Sequence, residues 1–234
     1  MPPLRIVIPC LDEEEAIGPL VGAVRRTIDP SCDRIIVVDN GSRDRTALFA
    51  RAAGAEVVSE PRRGYGRACA AGVRAAGDGV LVFLDGDGAD EPEDIHLVAG
   101  PVQDGLADLV VGVRRHREPG SMTGLQRIGN RLATSLIGLL NRAEVSDLGP
   151  MRAIRADRLI ALQQQALSYG WSTEMTVKTL RAGYRYLEVP VHHHSRRVGV
   201  SKVSGTLRGS VKAGIRILWT ALRWSLWRPS ASTA

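Results

Sequence analysis

The first half of the chain alternates two kinds of apolar pattern. The runs LRIVIP (4–9), RIIVVD (34–39), AEVVSE (55–60), GVLVFLD (79–85) and ADLVVGV (107–113) are rich in β-branched residues and lack period-two polarity, as strands buried on both faces do. Between the first four and before the fifth, 13–27, 44–53, 67–76 and 91–103 carry helical patterns. Such alternation predicts a mostly parallel central sheet flanked by helices, a doubly wound, Rossmann-like α/β arrangement. Ligands of these sheets bind at the carboxyl ends of the strands, near the point where strand order reverses. The polar clusters fall there: Pro9 to Glu13 after the first strand, Asp39 to Ser42 after the second, Asp85 to Asp87 after the fourth.

The second half is less regular. Helical patterns cover about 122–141, 156–166 and 172–182, a strand reads YRYLEVPV, and a glycine- and serine-containing loop runs from 192 to 205. A last helix, 206–227, repeats Val211, Ile215, Leu218 and Leu222 at helical spacing, with Arg208, Lys212, Arg216 and Arg223 beside them and Trp219, Trp224 and Trp227 near its end. A basic, amphipathic, tryptophan-bearing helix suits an anionic membrane interface; the alternative is a helix packed on the body with a solvated basic edge. The organisation expected is a body over 1–205, this helix over 206–228 and a tail over 229–234. The opening MPPLRIVIPC enters a strand rather than a signal peptide, and charge or glycine interrupts every apolar stretch before ~18 residues. The expectation is a cytoplasmic protein peripherally bound to the inner face of the membrane.

Charge sharpens this division. The net charge is +6, yet no acidic residue follows Glu188 while eight basic ones do. Taking those 8 from 31 leaves 23 basic against 25 acidic residues before that point, so the basic character belongs to the C-terminal segment. It lacks aromatics interleaved on a sheet and a recognised nucleic-acid motif, so nucleic acid is not an expected partner. Cys10, Cys32 and Cys69 are odd in number and show no metal spacing, as reduced thiols do.

The acidic stretch FLDGDGADEP (83–92) ends a buried strand in concentrated negative charge. Asp85 and Asp87 offer hard carboxylate oxygens from alternate positions around the small Gly86, an arrangement that suits Mg²⁺ or Mn²⁺ bridged to a diphosphate. VVDNGSRDRT (37–46) is a strand, a turn and a helix start in which Asp39 points off the strand end and Gly41 and Ser42 shape the turn. Neither GxGxxG nor a Walker P-loop is present. His192, His193 and His194 alternate faces at a strand end and so do not converge on zinc without a turn.

In that order, IPCLDEEEAI, VVDNGSRDRT, RGYGRACAAGV, FLDGDGAD, VVGVRR, SDLGPMRAIR, STEM and EVPVHHHSRRVGVSK resemble the family-two glycosyltransferases with a GT-A fold, and most closely the dolichyl- or polyprenyl-phosphate sugar synthases. The likeness runs from about 4 to 205. It implies donor contacts from Pro9, Leu11, Glu13, Asp39, Gly41, Ser42, Asp85 and Arg114, and metal ligation by Asp85 and Asp87, with Ala89 where a further polar side chain is usual. It implies acceptor-phosphate contacts from Arg127 and Arg131, one turn apart on a helix, and from Arg196, Ser201 and Lys202 in the R-x-x-G-x-S-K loop. Asp147, with Arg152 beside it, and Glu174 match the family's acidic positions and are the catalytic candidates.

The reaction implied is inverting transfer of a hexose from a nucleotide diphosphate sugar to a polyprenyl phosphate at the membrane, with Mg²⁺ or Mn²⁺. One alternative is a hydroxyl acceptor, for which Asp147 or Glu174 would act as base. Another is a non-catalytic module that binds nucleotide sugars.

Overall fold

The computed structural model describes residues 1–118, 123–195 and 207–229. Among them, seven strands form one sheet: β1 Leu4–Cys10, β2 Arg34–Asp39, β3 Glu56–Ser59, β4 Val80–Phe83, β5 Leu109–Arg117, β6 Arg152–Arg155 and β7 Tyr186–His193. Their order is β3-β2-β1-β4-β6-β5-β7. All neighbours run parallel except β6, which is antiparallel to both β4 and β5. The apolar pattern predicts the six parallel strands and misses β6. RAIR is four residues long, too short for any period to be counted, and it reads as the approach to the following helix.

The β1 side chains divide as period two requires. Ile6, Ile8 and Cys10 join one core with Ile17, Leu20 and Val21 of α1 (Glu14–Thr27) and Ile95, Val98 and Val102 of α4 (Ile95–Gln103). Val7 faces the other core, with Ala68, Cys69 and Ala71 of α3 (Tyr65–Ala76) and Leu159 of α6 (Ala156–Ala161) and Met175 of α7 (Trp171–Arg181). The short α2 (Thr46–Ala52) follows β2. The sheet is therefore covered on both faces, and the strand order reverses between β1 and β4.

Helix α6 ends five residues before the predicted boundary of 166. Gln163 adopts a left-handed φ of 49°, and the backbone N–H groups of Gln165 and Ala166 turn to donate to the Glu174 carboxylate at 3.0 and 2.5 Å. A distant acid thus outcompetes local helix continuation.

Helix α5 (Gly124–Asn141) starts at a capping box: the Thr123 hydroxyl accepts from the Gln126 N–H, and the Gln126 side chain accepts from the Thr123 N–H. Helix α8 (Leu207–Ser225) packs on α5 and α7 through a third cluster made of Ile137, Val177, Ala221 and Trp224. No helix among the described residues is long and apolar enough to cross a membrane.

Candidate functional site

The carboxyl ends of β1 and β2 stand level, Cys10 opposite Asp39, and their loops are laced together. The Asp12 N–H donates to Ser42 Oγ at 3.0 Å, the Arg43 N–H to Asp12 Oδ1 at 2.7 Å, and the Glu13 N–H to Thr46 Oγ1 at 2.8 Å. Within the second loop Asp39 Oδ1 accepts from the Ser42 N–H at 3.0 Å. Gly41 at φ 78° and Asp12 at φ 53° supply left-handed turns that Gly and Asp tolerate. Pro9, Leu11, Glu13, Asp39, Gly41 and Ser42 are thereby brought to one rim. Asn40 is buried beneath it: its amide donates to the carbonyls of Glu60 and Arg62 at 2.8 and 3.0 Å and accepts the Gly64 N–H at 2.7 Å. Its task is to moor the 60–64 loop.

Asp85 and Asp87 lie beside that rim, where β4 ends next to β1. Gly86 between them packs on Cys10, whose Sγ would overlap any added Cβ, with the Pro9 carbonyl 3.3 Å away. The Tyr65 hydroxyl at the start of α3 donates to Asp85 Oδ1 at 3.1 Å. Burial pushes the Asp85 carboxyl up to about 7, and the charges of Asp87 and Asp90 push the same way, against the Tyr65 hydrogen bond and Arg114. Asp85 and Asp87 thus set two carboxylates one residue apart at the end of β4, and hard oxygen donors of this kind suit a divalent cation. Among the described residues, no group of three or more His, Cys, Asp or Glu side chains is arranged to hold a metal.

The rest of the acidic stretch answers to histidines. His192 Nδ1 is 3.1 Å from Asp94, His193 Nδ1 3.2 Å from Asp90, and His194 lies 2.8 Å from Glu91 and 3.0 Å from Glu118. The three rings diverge to separate carboxylates and bind the end of β7 to the loop after β4. Asp90 is buried, paired with His193, and accepts the Asp85 N–H at 3.3 Å, so its second role is to brace the Asp85 backbone. Ala89 contributes its N–H to Asp87 Oδ1 at 3.0 Å.

Arg114 reaches the same neighbourhood from β5. Its Nη2 is 2.6 Å from Asp147 Oδ1 and its Nε 2.9 Å from Oδ2, in a nearly buried pair. Arg152 does not pair with Asp147: it is buried on β6 and donates to the carbonyls of Ser172 and Gly149. Glu174 is fully buried on α7, 2.6 Å from an equally buried Lys178, and holds the 165–166 backbone. Lys178 also donates to the Leu162 and Gln163 carbonyls at 2.9 and 2.8 Å, while burial pushes its ammonium pKa down. Asp147 and Glu174, the catalytic candidates, thus each face a cation, nearly buried Arg114 and fully buried Lys178.

Arg127 and Arg131 are exposed on α5 with no ion pair among the described residues. Asn130 between them accepts the Leu148 N–H at 3.1 Å, next to Asp147, so this helix flanks the site. Arg196, Ser201 and Lys202 lie outside the described residues. Sequence reasoning gave no role to Tyr65 and no mooring role to Asn40, and it read the three histidines as loop or interface residues without their acidic partners. Tyr65 could have been suspected from RGYGR, where two glycines flank one aromatic at a helix start.

A profile of glycosyl transferase family 2 matches residues 5–160. The chain belongs to that family. Family relatives include an uncharacterized glycosyltransferase of Mycobacterium tuberculosis, 38% identical over 210 residues covering 90% of this chain and 94% of that one. The undecaprenyl-phosphate mannosyltransferase of Micrococcus luteus is 32% identical over 93% of this chain and 94% of its own. The dolichyl-phosphate hexose transferase of Haloferax volcanii is 32% identical over 82% and 83%. Among solved structures, glucosyl-3-phosphoglycerate synthase from Mycobacterium tuberculosis, in complex with Mn²⁺, UDP and phosphoglyceric acid, superposes with a TM-score of 0.78 over 98% of this chain and 80% of that one at 23% identity. That likeness establishes the GT-A fold of this member of the family.

Proposed function

We propose that this chain transfers a hexose from a nucleotide diphosphate sugar, of the GDP-mannose or UDP-glucose type, to a polyprenyl phosphate at a membrane surface, inverting the anomeric carbon. The observation that carries this reading is the division of charge at the strand ends. The acidic Asp85–Asp87 pair stands beside the Pro9–Glu13 and Asp39–Ser42 rim, and the exposed Arg127 and Arg131 lie on the helix flanking it. The relatives that act on undecaprenyl and dolichyl phosphates agree with it.

Asp85 and Asp87 fit a divalent cation by donor chemistry, two carboxylates flanking Gly86 at the end of β4. Mg²⁺ or Mn²⁺ held there would neutralise the diphosphate leaving group. The Asp39–Ser42 turn and the Pro9–Glu13 loop, laced to each other, orient the nucleoside, and Tyr65 holds Asp85 in its rotamer. Arg127 and Arg131, with Arg196, Ser201 and Lys202 from the R-x-x-G-x-S-K segment after β7, bring the acceptor phosphate into line.

A phosphate monoester with a second pKa near ~6 is already mostly dianionic at neutral pH, so it attacks without a base. That matches the commitment of Asp147 to Arg114 and of Glu174 to Lys178; a hydroxyl acceptor would need one of these carboxylates to accept its proton.

Membrane attachment rests on two helices rather than one. Leu125, Ile128 and Leu132 of α5 and Ile215, Trp219 and Leu222 of α8 are exposed on packed neighbours, beside Arg127, Arg131, Arg216 and Arg223. Trp224 and Trp227 instead turn inward over Lys178, at 4.0 and 5.3 Å, leaving Trp219 as the exposed ring. Such a surface fits an anionic cytoplasmic leaflet.

The test is transfer from radiolabelled GDP- and UDP-hexoses into extractable lipid, with purified protein, Mn²⁺ or Mg²⁺, and polyprenyl phosphate in vesicles. Lipid label abolished by chelator and by Asp87→Ala is the expected result. Donor hydrolysis without lipid label moves the acceptor elsewhere, and neither signal favours a binding module.

A further inference from the structure

A cleft of about 420 Å³ opens between the Gly64–Arg67 turn, the 165–170 loop and α8. Four arginines line it, Arg63 and Arg67 from one wall and Arg216 and Arg223 from the other, together with Trp219 and Trp224; Arg63 also donates through Nη2 to the Gly41 carbonyl at 3.5 Å. No carboxylate lines it, and none of the four arginines forms an ion pair among the described residues. The acid of that region, Glu60, pairs with Arg62 at 2.9 Å and lies 4.0 Å from Arg74, and it also feels the charge of Arg67.

The walls are fixed by packing rather than by charge. The Arg67 N–H donates to the Leu167 carbonyl at 3.3 Å, and any side chain on Gly66 would run into the Ala166 carbonyl. On the far side Thr220 of α8 presses against Gly170, which has no room for a Cβ. Arg223 is held over the rings of Trp219 and Trp224 at 5.1 and 4.9 Å, so its guanidinium is oriented before any ligand arrives.

Cations gathered around one cleft repel one another, and an anion relieves that repulsion. The planar guanidinium fork matches phosphate oxygens, and the half-exposed Trp219 ring offers a face to whatever carries the phosphate. We infer that this cleft is a second anion site, taking a phosphate-bearing ligand: the headgroup phosphate of an anionic lipid or a free polyphosphate. Its lining shares no residue with the Pro9–Glu13, Asp39–Ser42 or Asp85–Asp87 segments, and its charge is opposite to theirs. The inference does not depend on the sugar-transfer reading.

The experiment pairs calorimetric titration of the full chain with inorganic pyrophosphate, in chelator so that the acidic site cannot recruit it through a metal, with co-sedimentation on phosphatidylglycerol and phosphatidylcholine vesicles. Arg67→Gln and Arg216→Gln remove one cation from each wall, and Arg51→Gln, on α2, is the charge control. Each cleft variant is expected to bind about tenfold or more weakly, since a charge-assisted hydrogen bond is lost, while the control binds as the parent.

Saturable pyrophosphate binding that both variants weaken assigns a soluble phosphate ligand. No pyrophosphate heat, with phosphatidylglycerol retention that falls in both variants, assigns a lipid headgroup. Arg67 decides this arm because it is not on α8, so a merely basic helix would be insensitive to it. Binding that follows total charge, equal in Arg67→Gln and Arg51→Gln, or no binding in either assay, overturns the site while leaving the transfer assay to be judged on its own result.

Discussion

Asp147 accepts three hydrogen bonds from one residue: Arg114 gives Nη2 to Oδ1 at 2.6 Å and both Nε and its backbone N–H to Oδ2 at 2.9 Å. That geometry fixes the position of Arg114 beside Asp85 and Asp90, whose charges it feels. Removing one partner of a buried pair leaves the other desolvated and unpaired. Asp147→Asn is therefore expected to lower folding stability by about 3 kcal/mol or more in urea unfolding. Native stability with abolished transfer would instead make Asp147 the base of a hydroxyl-acceptor enzyme.

The Asp85 carboxyl, raised to about 7 by burial and by Asp87 and Asp90, sets a pH dependence with a definite sign. The unfolded chain releases that proton near ~4, so between about 4 and 7 the folded state holds more protons, and stability falls as pH rises. Above about 7 this contribution is flat. Asp85→Asn is expected to gain stability relative to the parent across that window, measured by thermal melting from pH 4 to 8. In the parent, Mn²⁺ must displace the proton, so its affinity should weaken about tenfold per pH unit below 7. An affinity independent of pH from 5 to 8 would remove Asp85 from the metal site.

The two halves of the chain were unequally legible. The runs at 4–9, 34–39 and 79–85 announce β1, β2 and β4, and with them the rim on which Pro9, Asp39 and Asp85 meet, because buried parallel strands leave an unbroken apolar signature. The partners of the acids were not legible. DEPED after Asp87 reads as one block of charge, but Asp90, Glu91 and Asp94 face histidines a hundred residues away, brought beside them where the end of β7 bridges the loop after β4 at Asp90 and His193. Glu174 reads as a polar residue in STEM, and its burial depends on a loop whose turn it makes. Likewise, three tryptophans near a chain end suggest one membrane anchor, while two of them were covering a lysine.

That lysine yields a stability test. Glu174 and Lys178 are both fully buried and 2.6 Å apart, with Trp224 stacked on the ammonium. Glu174→Gln strands the cation and should cost about 3–5 kcal/mol, whereas Glu174→Gln combined with Lys178→Met removes both charges and should recover much of the loss. Chemical denaturation of the four-member cycle checks it. Additive losses would mean that the two side chains stabilise the fold independently.

The closeness of the metal candidates to β1 can be tested through Gly86 and Cys10. Gly86 is not required for its backbone conformation; what excludes a side chain there is the buried Cys10 sulfur. Gly86→Ala should therefore destabilise by about 1–3 kcal/mol, as overpacking does, and should weaken Mn²⁺ binding because Asp85 and Asp87 flank the displaced atom. Cys10→Ala removes the obstructing sulfur, leaving Cys10 Cβ at 3.5 Å as an ordinary contact and the Pro9 carbonyl at 3.3 Å, a tight one that a shift of a few tenths of an ångström relieves. The double variant should then be more stable than the sum of the single effects predicts, and its Mn²⁺ affinity should return toward that of the parent. Strict additivity in thermal melting, with metal affinity still lost in the double variant, would show that Gly86 is needed for a reason other than contact with Cys10.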